Sequence, residues 1–468
     1  MMTINKLIKN LLGVNKIKVK SVEYTNTNDG CKKIIVDVEL YKSEQCRCPL
    51  CNDNKKLPRY DSSKNIKTYR GLDLGGILLD IRCEVPRVTC KKHGVITSRV
   101  PFAFHNSRFT KDFDLTVAWM AKSLSKLAIS EYMRISWLTV GRCVSRAREY
   151  LEPNPSSRLN DLKRIGIDET SYSKGHKYIT TVINHDTNTV VWVGKNHGKS
   201  VLEGFFKSLS EQQLSQIEVV SGDGARWISE CVKEYCPLAL RCTDPFHAVL
   251  WAQDALDEIR KESWRSANKE LKELNNDIKR DRGRPKKDDE DSKELSIAKK
   301  KVIEIKNSRY ALSKAPENLT ENQEVKLALI KSKDNRLYRA YLLKESLRNL
   351  LKIKDPSIAE KEINKWISWA TRSRIDSFKN LAKKIKRHKD YILNFIKTGI
   401  SNARVEANNN KISLLVHRSY GFKNFNNMVD LIMLVCSDLD IPLPNRPDKL
   451  KKPKSKSKTF ILFFPSYR

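Results

Sequence analysis

No stretch of about 18 apolar residues occurs anywhere in the 468-residue chain, so no membrane-spanning helix is expected. The opening MMTINKLIKNLLGVNKIKV is broken by Asn and Lys and lacks a small-residue cleavage site, so it does not read as a secretory leader. Cysteine is sparse and uneven, 11 residues in all, which excludes a disulfide-stapled scaffold. In a chain read as cytosolic, close cysteine pairs point to metal instead. No repeat of solenoid period is present. Acidic residues fall far short of basic ones: 55 Asp+Glu against 89 Lys+Arg leave a net charge of +34. That excess is unlike a typical metabolic enzyme and suits a polyanionic partner, most simply nucleic acid. Hydrophobic residues make up 40 % of the chain, enough for two or three packed units with linkers.

Residues 1–105 read as a β-rich domain, with β-branched runs at 33–40, 77–86 and 95–101. Cys48-Pro-Leu-Cys51 is followed about forty residues later by Cys90-Lys-Lys-His93. Two such knuckles can close a tetrahedral zinc site on a small ribbon, and structural zinc suits a segment with little apolar mass. Cys46 and Cys83 are alternative ligands, and unrelated reduced thiols beside a surface histidine are the bland alternative. Residues 106–155 read as a helix-turn-helix. Leu127, Ile129, Tyr132 and Met133 form the apolar side of a short helix, Arg134-Ile135-Ser136 the turn, and Val140 and Val144 the buried side of the next helix. Trp137, Thr139, Arg142, Arg146 and Arg148 then face solvent, as a major-groove reader requires. A plain helical pair with a solvated basic face is the alternative.

Residues 160–265 alternate strand and helix signals. Strands are expected at 164–172, 177–186, 189–195, 217–225 and 238–247, with helices at 199–211, 225–236 and 248–264. Three antiparallel strands leading into parallel crossovers resemble a ribonuclease-H-like domain. Asp168 falls mid-way along the first strand and Asp223 at the carboxyl end of the fourth. Two acids on neighbouring apolar strands repel each other, and two Mg²⁺ or Mn²⁺ ions about 4 Å apart would relieve that and serve phosphodiester chemistry. In 401–422 a stripe of Val405, Asn409, Ile412 and Val416 has helical spacing, and Glu406 lies on its polar flank as the third acid.

In order along residues 40–437, CPLC, CKKHGV, RFT (108–110), the helix-turn-helix, GIDETSYSKGHKYIT, VVSGDGA, DPFH (244–247) and VEANNNKISLLVHRSYGF resemble the ISL-three family of insertion-sequence transposases. The resemblance implies an α/β chain: a ribonuclease-H-like catalytic domain of DDE type with a large α-helical insertion, preceded by a zinc ribbon and a helix-turn-helix. It implies Asp168, Asp223 and Glu406 as a metal-binding triad, with catalysis by two Mg²⁺ or Mn²⁺ ions. Cys48, Cys51, Cys90 and His93 match the family's zinc positions. Asp244 and His247 match an accessory DxxH, in which His247 would orient a phosphate or a bound water; capping the following helix is its alternative. Asn409 and Lys411 match polar positions after the glutamate.

Residues 266–400 then form the insertion domain, 401–440 the final helices of the catalytic domain, and 441–468 a basic tail. Trp251, Trp264, Trp366 and Trp369 are expected in the insertion core, or as stacking platforms for bases. RGRP (282–285) resembles an AT-hook core, or is a solvated loop. The implied partners are double-stranded DNA, as the element's terminal inverted repeats and target, and at least one further copy of the chain. The implied location is the cytoplasm of a prokaryote, at the nucleoid. A DNA-binding regulator without chemistry and a structure-specific nuclease are the rival functions.

Overall fold

A computed structural model describes residues 8–446, apart from 10, 13, 29, 52–54, 63–64 and 278–292. RGRP 282–285 and the tail from 447 lie outside the described residues. The chain divides into two compact units: one built from the chain up to Pro155 together with the segment from Leu414, the other from Ser156–Ser413.

In the first unit, β1 (Ile17–Asn26), β2 (Lys32–Leu40), β3 (Ile66–Arg70) and β4 (Leu78–Glu84) pair in the order β1-β2-β4-β3. β2 and β4 run parallel; the other pairs are antiparallel. Alternation puts Val36, Ile81 and Val85 into one core. The outer strand β1 carries many exposed polar residues, which suits an edge and hides it from a reading of apolar runs. β5 (Arg87–Cys90) and β6 (Gly94–Thr97) form a separate hairpin. Three helices follow: α1 (Lys111–Ala121), α2 (Lys126–Met133) and α3 (Trp137–Leu151). Thr110, Ser125 and Ser136 each accept a backbone N–H at a helix start, and Arg134 turns the chain in the left-handed region at φ 53°. The turn stands where the sequence places it, but Leu127 and Tyr132 are 56 % and 74 % exposed, so α2 buries only Ile129 and Met133 of its expected apolar side.

In the second unit, β7 (Arg164–Ser173), β8 (Lys177–Asn184), β9 (Thr189–Lys195), β10 (Val219–Gly222) and β11 (Leu240–Thr243) form one sheet in the order β11-β10-β7-β8-β9. β7–β8–β9 is an antiparallel meander, and β10 and β11 add in parallel. The crossovers are α4 (Lys199–Lys207), α5 (Glu211–Ser215) and α6 (Arg226–Tyr235). Ile165, Ile167 and Val220 bury one sheet face against Phe205, Phe206 and Ile228 of these helices.

A helical body follows: α7 (Pro245–Asp277), α8 (Lys293–Asn307), α9 (Arg309–Ser313), α10 (Glu321–Lys333), α11 (Asn335–Leu350), α12 (Pro356–Arg372) and α13 (Asp376–Thr398). Its core joins Leu256, Leu343, Leu347, Ile363, Trp366, Phe378 and Ile385. α7 runs unbroken through 265/266, the expected start of the insertion. α13, expected within the insertion, covers the sheet edge: Asn394 Nδ2 donates to Arg241 O of β11 at 3.1 Å. Trp366 is buried and donates Nε1–H to Leu343 O at 2.9 Å, whereas Trp264 and Trp369 are 37 % and 43 % exposed and so do not form the core. α14 (Ala403–Arg418) crosses the unit division, and α15 (Phe425–Cys436) belongs to the first unit. There Asp430 of α15 accepts from Ser145 Oγ and, at 2.6 Å, from Arg148 NH1 of α3. α15, expected among the final helices of the catalytic domain, thus packs within the first compact unit. Among the described residues no helix is long and apolar enough to cross a membrane.

Candidate active site and metal centre

Strand register sets the first two acids side by side. β10 lies parallel to β7 with Gly222 opposite Ile167, so the next positions are Asp223 and Asp168. β11 continues the row: Thr243 lies opposite Gly222, bringing Asp244 beside Asp223. Neighbouring strands are about 4.8 Å apart, and all three aspartates therefore collect at one end of the sheet.

The third acid arrives on α14, and its placement rests on a glycine. A Cβ on Gly166 would lie 2.5 Å from Val405 Cγ2 and 2.7 Å from His185 Nε2, so α14 approaches β7 only because that Cβ is missing. Four residues on, Asn409 reaches Asp168, which is two residues beyond Gly166. Four helical residues rise about 6 Å and two strand residues about 6.6 Å, so helix and strand stay in step. Asn409 Nδ2 donates to Asp168 Oδ2 at 2.8 Å, and Thr181 Oγ1 donates to Asn409 Oδ1 at 3.3 Å. Val405 and Ile412 are buried and Glu406 is exposed on the flank, as the stripe predicts.

Each acid is held differently. Asp168 Oδ1 accepts from Glu169 N at 2.8 Å. Asp223 Oδ1 accepts from Ala225 N at 2.9 Å, and its carbonyl is gripped by the buried Arg241, which also donates to Cys242 O. Asp244 spends both oxygens on backbone: Oδ1 takes Phe246 N and Oδ2 takes Asn402 N, each at 2.8 Å. It thus ties the start of α7 to the segment entering α14. Asn402 Oδ1 in turn accepts from Ser221 Oγ at 2.8 Å, and Ser221 lies 2.7 Å from His185 Nε2. Sequence reasoning had no partner for this buried chain; the signal was Asn and Ser at strand and helix ends.

Burial first, then the charges of Asp223 and Glu406, push the Asp168 carboxyl up to about 6, opposed by the Glu169 N–H and His247. Glu406 is raised by partial burial and by Asp244, with His247 opposing. Asp168, Asp223, Glu406 and His247 therefore form one electrostatic group. Glu169 joins it: burial raises its carboxyl and so do Asp223 and Asp168, its Oε1 accepts no hydrogen bond, and His197 Nδ1 stands 3.7 Å away, opposing the rise. Among the described residues, Asp168, Asp223 and Glu406 form no ion pair with any Lys or Arg. Their donor atoms do not all come within 4.8 Å of one another.

The amino-terminal knuckles do converge that closely. Cys48, Cys51, Cys90 and His93 bring their ligand atoms within 4.8 Å of one another. His93 Nδ1 lies 3.5, 3.4 and 3.6 Å from the sulfurs of Cys48, Cys51 and Cys90, and Cys51 and Cys90 sulfurs are 3.6 Å apart. A tetrahedron with Zn–S of about 2.3 Å and Zn–N of about 2.05 Å has edges near 3.8 and 3.6 Å. A disulfide needs about 2.05 Å. The set therefore fits a tetrahedral ion. Cys46 and Cys83 stay outside it: Cys83 is buried in the β-sheet core.

Of the expected DNA-facing residues on α3, Arg142 is exposed and Trp137 and Thr139 are half-buried. Lys126 Nζ sits 4.5 Å over the Trp137 ring, and Thr139 Oγ1 lies 2.8 Å from Ser136 Oγ. Arg146 and Arg148 depart from the expectation of a free solvent face. Arg146 donates to both oxygens of the fully buried Asp114, at 2.9 and 2.7 Å, and Arg148 pairs with Asp430 and Glu152. Long side chains on an exposed flank reached acids that helical spacing alone does not reveal.

Residues 165–432 match a family described as transposase, and residues 98–147 match the helix-turn-helix domain of transposase family ISL3. The chain belongs to the ISL3 family of transposases. It is 39 % identical over 444 residues to the transposase for insertion sequence element IS1557 of Mycobacterium tuberculosis, covering 94 % of this chain and 97 % of that one. It is 22 % identical over 392 residues to the transposase for insertion sequence element IS1001 of Bordetella parapertussis, covering 83 % and 88 %. The transposase domain thus begins on β7 and includes all three acids, and the helix-turn-helix match contains α1, α2 and most of α3. Membership of a DDE-type family implies divalent metal use, and its helix-turn-helix implies DNA binding.

Proposed function

We propose that this DNA transposase binds the terminal inverted repeats of an insertion sequence, cuts a phosphodiester at each end, and joins the freed 3′-hydroxyl to target DNA. Asp168, Asp223 and Glu406 are its metal-binding acids, the two aspartates on a ribonuclease-H-like sheet and Glu406 on the helix α14 beside it. The observation that carries this is electrostatic: in a chain of net charge +34, these three acids gather without a Lys or Arg ion pair among the described residues, and the charges of Asp223 and Glu406 raise the carboxyl of Asp168. Their donors are too spread for one ion, but two ions about 4 Å apart, each about 2.1 Å from oxygen, span about 8 Å. Magnesium or manganese bound there would activate water or a 3′-hydroxyl and stabilise the leaving oxygen.

The protein's own contribution is positioning. Asn409 and the Glu169 N–H fix both oxygens of Asp168, and Ala225 N fixes Asp223. Asp244 anchors the segment that presents Glu406. His247, whose charge both Asp168 and Glu406 feel, lies where it can orient a phosphate oxygen. Cys48, Cys51, Cys90 and His93 hold structural zinc, and Arg142, Trp137 and Thr139 offer the α3 surface to the major groove. Cutting two ends in one complex calls for at least two copies of the chain on DNA.

The test is supercoiled plasmid carrying the element's ends with Mg²⁺, comparing the natural chain with Asp223→Asn. Cleavage and joined products from the natural chain only are expected. Cleavage without joining would replace transposition with a nuclease reading. DNA binding with no cutting by either protein would leave only a regulator.

A further inference from the structure

Within the first unit, a cavity of about 190 Å³ opens beside Pro49, one of the two residues between the ligating positions of the first cysteine knuckle. Lys67, Arg99, His105 and Arg108 line it with Thr97 and other polar side chains, and no acidic side chain does. Arg99 is matched, by Glu44 at 3.3 Å. Lys67 and Arg108 are not: among the described residues neither has a carboxylate partner, and Lys67 Nζ donates only to Thr97 Oγ1 at 3.2 Å. Burial, then the charge of Arg108, hold the Lys67 ammonium below its ordinary value, and burial and Lys67 lower His105. Two unmatched cations facing one concavity repel each other unless an anion enters. The cavity has room for about six waters at 30 Å³ each. That is below the roughly 300 Å³ of a pocket for a drug-sized ligand, and has room for one tetrahedral oxyanion.

We propose that this cavity seats a single phosphate of the DNA backbone, with Lys67 and Arg108 as its cationic ligands. A phosphate held there fixes the cysteine knuckle against the strand, because Pro49 forms part of the same wall. The assignment rests on DNA binding by this family and not on the carboxylate site, so failure of plasmid cleavage leaves it standing, and its own failure leaves cleavage standing.

The test uses the full zinc-loaded chain, a duplex of arbitrary sequence, since backbone contacts carry no sequence information, and the variants Lys67→Met, Arg108→Gln and both together. The slope of log K against log[salt] falls by about 0.9 for each phosphate that the protein no longer neutralises. The double variant is expected to show a slope shallower by about 0.9, and each single variant a smaller change, because both side chains serve one phosphate. A change near 1.8 in the double variant would mean two separate phosphates, and an unchanged slope would mean none; either overturns the proposal. Zinc content equal to that of the natural chain certifies folding, and should the double variant lose zinc, the exposed Arg108→Gln alone decides. At constant ionic strength, inorganic phosphate is expected to raise the unfolding temperature of the natural chain and not of the double variant. Phosphate stabilisation through these residues with an unchanged DNA slope would assign the cavity to a free oxyanion and sink the DNA assignment.

Discussion

Replacing Gly166 by alanine tests how the third acid is delivered. The new Cβ would fall 2.5 Å from Val405 Cγ2 and 2.7 Å from His185 Nε2. Carbon atoms pack best at about 3.5–4.0 Å, so α14 must lift by roughly 1 Å. Val405 and His185 are both buried, which leaves no easy escape. Overpacking of this kind costs about 1–3 kcal/mol. Glu406 directly follows Val405, and a misplacement of about 1 Å can lower a rate about 100-fold. Urea unfolding should show the loss, and plasmid cleavage should fall while DNA affinity holds. The control is Gly204→Ala on α4, where a Cβ meets nothing within 4 Å; it should gain about 0.4–1 kcal/mol and keep full activity. If Gly166→Ala matched the natural chain in unfolding and cleavage, the close approach of α14 to β7 would not be what positions Glu406.

Other outcomes follow from named contacts. Arg146→Ala strands the fully buried Asp114 and should cost about 3–5 kcal/mol, whereas Arg142→Ala should leave unfolding unchanged and weaken DNA binding; equal effects on stability would refute that division. The pair Cys48→Ser and Cys51→Ser should reduce bound zinc from one equivalent to none by metal analysis, and equal zinc content would dismiss the site. Asn409→Ala removes a hydrogen bond to a charged group worth about 1.5–3 kcal/mol, so cleavage should drop tenfold or more at constant DNA affinity; an unchanged rate would free Asn409 from any part in holding Asp168.

The catalytic sheet was legible because its strands alternate or run apolar, and because Asp168 and Asp223 interrupt apolar strands where solvation alone would not favour them. Even the helix stripe Val405–Asn409–Ile412–Val416 could be read, since periodicity shows which side is buried. What periodicity cannot show is against what. α15 has an apolar side that would suit either unit; Asp430 meeting Arg148 shows which one takes it. The same limit explains Arg146, whose partner Asp114 lies 32 positions away. It explains Trp264 and Trp369 too: residue type marks them as core, but only packing leaves them partly in solvent. Asp244 is marked by its motif alone, and spacing does not show that both its oxygens accept backbone N–H groups.

The chain treats two sets of buried acid in opposite ways, and the contrast can be measured. Asp114 receives Arg146 on both oxygens and Ser107 Oγ at 2.8 Å, so its charge is neutralised permanently within the fold. Asp168, Asp223 and Glu406 are given amides and N–H groups but no Lys or Arg ion pair among the described residues; the buried Arg241 reaches the backbone carbonyl of Asp223 and not its carboxylate. Without a divalent ion, their repulsion should therefore count against the folded state. Asp223→Asn keeps the acceptor that Ala225 N requires and removes one charge facing Asp168. Relief of about 1 kcal/mol, or about 2–4 °C in unfolding temperature for a unit of this size, is expected in chelator. Added Mg²⁺ should stabilise the natural chain and not the variant, reversing their order. Asp114→Asn should destabilise with or without Mg²⁺, because it leaves Arg146 buried and unmatched. A variant at 223 that unfolds earlier than the natural chain in chelator would show that these acids are already compensated within the protein, and an exchangeable cation would then have no electrostatic vacancy to fill.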